Sequence, residues 1–131
     1  MAVLVQQGVE MTKHDSRVDE WVDFISSTNQ SKCIFYDSVL EFIIDQTIPR
    51  YGDLPNDLAA SWTADICLKQ IEKYKSRAMQ PPTRKQDLLW DTYKRAHYAC
   101  MAYFKGANSD LCIAEYCDAK KAYQKVMEAG L

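Results

Sequence analysis

Residues 84–129 read RKQDLLWDTYKRAHYACMAYFKGANSDLCIAEYCDAKKAYQKVMEA, and this stretch decides the fold. Leu89, Tyr93, Ala96, Cys100 and Tyr103 recur at alternating steps of four and three residues, the seam of a helix that packs along one stripe. Gly106-Ala107-Asn108-Ser109 then supplies a helix terminator, a short turn and an N-cap. Cys112, Tyr116, Ala119, Tyr123 and Val126 repeat the seam on the far side. Folding the chain at Gly106 pairs residues whose numbers sum to 215 or 216: Tyr103 with Cys112, Cys100 with Tyr116, Ala96 with Ala119, Tyr93 with Tyr123, Leu89 with Val126. Every seam residue finds a partner, which predicts an antiparallel helical hairpin. Thr83 and Gln86 form a capping box that would start its first helix.

Upstream, Pro81-Pro82 separates the hairpin, residues 83–129, from a unit of three predicted helices over residues 16–79. Ser16 is placed to cap the first helix, with Asp19 and Glu20 in its first turn and Val18, Trp21, Val22 and Ile25 along one face. Lys32–Ile48 is apolar around most of its circumference, which marks it as the central helix, and Pro49 is its expected stop. Asp53-Leu54-Pro55 resembles a helix start, so the third helix is expected from about Asn56 to Arg77. Residues 1–15 have no helical period and read as an extended arm, and Met11 is a plausible second start of translation beside Met1. The expectation is therefore an all-α, single-domain bundle of about five helices ending in a long antiparallel hairpin.

The composition is that of a globular chain: 131 residues, 47% hydrophobic, 26% charged, with only four Gly and four Pro. The net charge of −2 conceals a segregation. Residues 1–65 carry four Lys or Arg against eleven acids, net −7, and residues 66–131 carry twelve against seven, net +5. Cys33, Cys67, Cys100, Cys112 and Cys117 are odd in number and lie in helical, apolar surroundings, and no secretory leader or membrane-length apolar run accompanies them. Reduced thiols in the cytoplasm follow, with no membrane partner. Neither a metal set nor a cofactor motif emerges from their spacing.

The candidate chemistry is sparse. His97 with Cys100 or Cys67 is the only Cys-His couple, and it lacks the surroundings of an exposed thiolate. Glu41 and Asp45 on one helix, and Asp87 and Asp91 on another, form two pairs at i, i+4 that would hold Mg²⁺ if they faced each other. Such an arrangement looks loosely like the all-helical nucleotide pyrophosphohydrolases of the MazG kind, whose tighter Glu-x-x-Glu and Glu-x-x-Asp spacing is absent here. The resemblance would imply a Mg²⁺-dependent nucleotide phosphohydrolase. The richest feature is basic: Lys69, Lys73, Lys75, Arg77, Arg84, Lys85, Lys94 and Arg95, interleaved with Tyr74, Trp90 and Tyr93. Cations among aromatics are what a phosphate backbone with exposed bases recognises, so nucleic acid is one candidate partner. With no catalytic motif and with acidic and basic halves, the leading expectation is a small non-catalytic binding protein. It would act by contact with a protein partner or with itself, in the manner of a phage or mobile-element inhibitor or adaptor of a host machine.

Overall fold

The structure, a computed structural model, describes residues 16–79 and 84–129. The extended arm at 1–15 and the Pro81-Pro82-Thr83 break, with its half of the capping box, lie outside them. Among the described residues the fold is all-α, with five helices and no strand. Helix α1 spans Arg17–Ser27. Helix α2 runs Ile34–Phe42, continues as a π-helical turn Ile43–Thr47, and ends with Ile48–Tyr51. Helices α3, α4 and α5 span Ala64–Ala78, Lys85–Phe104 and Ser109–Glu128.

The hairpin of α4 and α5 forms as its sequence directs. Ala107 N–H donates to the Ala102 carbonyl at 2.9 Å and Gly106 N–H to that of Tyr103 at 3.2 Å, the paired bonds that close a helix through a left-handed residue. Gly106 takes that conformation, with φ of 100°. Asn108, one residue before the expected Ser109, caps α5 by accepting from Leu111 N–H at 3.0 Å. The Tyr93 and Tyr123 rings meet at 6.1 Å, as the register requires, and Ala96, Cys100, Cys112 and Ala119 are wholly buried. Ala96→Leu is therefore expected to cost about 1–3 kcal/mol by overpacking the seam. A thermal melt unchanged by the substitution would show that the helices do not approach closely at Ala96.

Helix α4, not α2, is central. Helices α3 and α5 pack along it extensively, and α1 and α2 touch it more sparsely. Its Thr92, Ala96, Ala99, Cys100 and Ala102 are buried around the circumference because small side chains let neighbours close on several sides. Helix α2 buries Phe35, Tyr36, Val39, Phe42 and Ile43, while Ile34 and Ile44 stay exposed. A stretch apolar all round thus ends at the edge of the bundle. Against the hairpin seam α1 and α2 deliver Trp21, Phe24 and Phe35, whose rings surround Tyr116 at 5.8, 6.1 and 5.7 Å.

Two local expectations fail for identifiable reasons. Pro49 does not stop α2. The preceding turn widens so that Ile48 N–H donates to the Ile43 carbonyl five residues back, which relieves the clash that a proline ring imposes on a regular turn. Pro55 does not start α3. Residues 52–63 form turns, and α3 begins after Thr63, whose hydroxyl accepts from Ile66 N–H at 3.3 Å. What holds this loop is Arg17. Its guanidinium pairs with buried Asp57 and donates to the Gly52 carbonyl at 2.9 Å, while its backbone N–H donates to Asp53 at 2.7 Å. Gly52, with φ of 86°, makes the turn that brings the loop back to α1. Lys105 fastens the far end, donating to the Ala59 carbonyl at 3.0 Å.

Candidate functional site: a cationic, aromatic cavity

The loop so anchored closes one side of a cavity of about 350 Å³ between α2, α3 and α4. Aromatic rings dominate its walls. Trp62 and Tyr98 stack at 6.1 Å and 20°, and Tyr98 and Tyr74 at 6.1 Å and 15°, so three nearly parallel rings run in series. Phe42 and Tyr51 line the α2 side, and Gln46, Thr47 and Gln70 add neutral polar groups.

Charge at this site is of one sign. Arg17, Arg50, Lys73 and Lys94 line the cavity, and no Asp or Glu does so among the described residues. Arg17 is neutralised by Asp57. Arg50, Lys73 and Lys94 form no ion pair with any described carboxylate; they lie instead against aromatic faces. Arg50 sits over Trp90 at 5.7 Å, Lys73 over Tyr74 at 5.5 Å and Lys94 over Tyr74 at 5.0 Å. Burial, and then the positive charges of Arg77, Arg50 and Lys73, hold the Lys94 ammonium below its ordinary value, against the pull of Asp91. Crowded like charges of this kind are relieved by an anion.

The eight basic residues anticipated as a binding stretch divide sharply. Lys73 and Lys94 line the cavity, and Arg77 shares the Tyr74 ring at 5.2 Å while pairing with Asp91 at 3.6 Å. Lys69 is exposed beside them on α3. Lys75 is held by Glu115 at 2.8 Å and Glu72 at 3.3 Å, and Arg84 by Asp87 at 3.2 Å. Lys85 is half-buried at the start of α4. Arg95 is no surface residue: it is buried, its Nε has no hydrogen-bond partner among the described residues, and burial holds its guanidinium below its ordinary value, against the pull of Glu115, Asp118, Glu72 and Asp91. Arg17, Arg50 and His97 line the cavity from outside that basic pattern. Arg50 lies just past Pro49, the expected helix stop, and His97 beside the seam residues.

The other candidate chemistries do not assemble. Glu41 and Asp45 line a separate shallow pocket with Trp90 and Tyr93, and Asp91 is buried beside Arg77. Among the described residues no group of three or more His, Cys, Asp and Glu is placed to hold a metal ion. Burial pushes the Cys67 thiol up and the Cys100 thiol up strongly, the opposite of what a nucleophile requires. All five cysteines are free thiols. No described helix is long and apolar enough to cross a membrane. No family model, no curated protein and no solved structure matches this chain.

Proposed function

We propose that the chain is a binding protein that acts by contact, without catalysis, on a phosphate-bearing partner, and that the cavity face is its working surface. The observation that carries this is the rim of Arg50, Lys73 and Lys94, three cations in no direct ion pair with a described carboxylate, Asp91 acting on Lys94 only from beyond contact, set around an aromatic wall. Of the partners that the sequence admitted, a protein would be met by the segregated charge of the two halves. Nucleic acid is met by these three cations and by rings on which bases stack, and it is the partner the electrostatics favour.

Fluorescence anisotropy of a labelled single-stranded oligonucleotide tests this. Binding is expected at ~50 mM salt and to weaken steeply by ~200 mM. Lys73→Ala combined with Lys94→Ala should lower affinity about tenfold or more and reduce the salt slope by about 1.4, roughly 0.7 for each lost phosphate contact. Lys121→Ala, an exposed cation on α5, serves as the control and should change little. Equal losses from the control and the double variant, or no binding at low salt, would remove nucleic acid as the partner.

A further inference from the structure

We propose that the cavity is a nucleotide site: a planar base lies against the Tyr98 wall with its polar edge toward His97, and the phosphate sits among Arg50, Lys73 and Lys94. This rests on the phosphate-binding reading and narrows it from a charged surface to a pocket for one nucleotide unit. Three independent features agree. The first is size and shape. About 350 Å³ is in the range of small-ligand pockets, and the near-parallel series Trp62, Tyr98, Tyr74 offers a flat ring an offset-stacked place.

The second is His97. It lines the cavity, is only 4% exposed, and its Nε2 has no hydrogen-bond partner among the described residues. A buried polar atom is normally bonded, and this one, on a residue of the cavity wall, is not. The third is how charge is divided. Burial, and then Arg17, lower the His97 pKa to about 3, so the imidazole is neutral and cannot serve as counter-ion to a phosphate. It can exchange a hydrogen bond with a neutral heterocycle. The permanent cations lie at the rim. A neutral polar group within and cations outside match a ligand with a neutral base and an anionic phosphate, and they match neither inorganic phosphate nor a purely apolar molecule.

Titration calorimetry with the four 5′-mononucleotides, ribose 5-phosphate, inorganic phosphate and a short single-stranded oligonucleotide tests the assignment on the full chain. At least one mononucleotide is expected to bind about tenfold or more tighter than ribose 5-phosphate. His97→Phe should weaken that nucleotide about tenfold while leaving ribose 5-phosphate unchanged. Trp62→Leu, at the partly buried end of the ring series, should also weaken the nucleotide selectively, and it keeps the test usable where the buried His97 variant fails to fold. A free nucleotide and a strand end are separated by the probes. Oligonucleotide binding weakened by either variant, without mononucleotide binding, supports the site with a strand end as its occupant. Equal affinities for mononucleotide and ribose 5-phosphate would overturn the nucleotide site and leave phosphate binding standing. Oligonucleotide binding indifferent to both variants would do the same. Absence of binding by every probe would overturn both.

Discussion

Arg17→Met should destabilise the protein by about 3–5 kcal/mol, a large fraction of what a domain of this size has to lose. The substitution keeps an unbranched apolar stem but deletes the guanidinium that partners Asp57, whose carboxylate side chain is about 1% exposed. A buried carboxylate without its cation must either remain charged in an apolar setting or take up a proton, and both are costly. The Gly52 carbonyl also loses a donor. The charge, more than the contact, causes the loss, so Arg17→Met combined with Asp57→Leu should recover much of it. Urea unfolding of the two single variants and the double variant measures the coupling. Strict additivity would mean that Arg17 and Asp57 do not depend on one another and that the 52–63 loop is held by other contacts.

Tyr116→Ala is expected to cost a similar amount, about 3–5 kcal/mol. Tyr116 stands on α5, yet the rings around it come from Trp21 and Phe24 of α1 and Phe35 of α2. Truncation would leave a cavity bordered by three bulky aromatic side chains that cannot all move in to fill it. Its hydroxyl is buried with no oxygen or nitrogen partner among the described residues, and it faces the Cys33 thiol. Tyr116→Phe should therefore stay within about 1 kcal/mol of the parent. A Phe variant as damaged as the Ala variant would show that the hydroxyl, and not the ring, is what the core depends on.

Legibility in the sequence follows the range of the interactions. Ser16 and Gly106 act on amides and carbonyls within a few residues, and their roles could be read directly, while the cap of α5 was placed one residue late, at Ser109 in place of Asn108. The hairpin seam was readable because a short connection leaves two helices little choice but to lie antiparallel and match register. Pro49 was misread because a π-helical turn accommodates it, an adjustment made in three dimensions. Apolar content likewise misplaced the centre of the bundle. Burial of α4 depends on how many helices close upon it, and its Ala and Cys side chains are small enough to permit this.

The basic stretch shows the same division for function. Eight cations close in sequence suggested one surface, but a helix distributes neighbours around its circumference. Lys94 and Arg95, adjacent in the chain, end at the rim of the cavity and in the packed interior. Arg50, remote in sequence, joins Lys73 and Lys94 because α2 ends where α3 and α4 pass.

By itself, then, the order of residues determined that the chain is helical, where most of its helices begin and end, and that the last two fold back on each other in a set register. Periodicity, capping and turn geometry are local properties, and they suffice for this. Only the tertiary structure decided which helix is central, that Arg17 and Asp57 neutralise each other, and that three cations from three helices gather around stacked rings and an unpartnered histidine. Those depend on groups distant in the chain arriving within a few ångströms, where charge and burial act, and nothing in the spacing of one segment specifies that meeting.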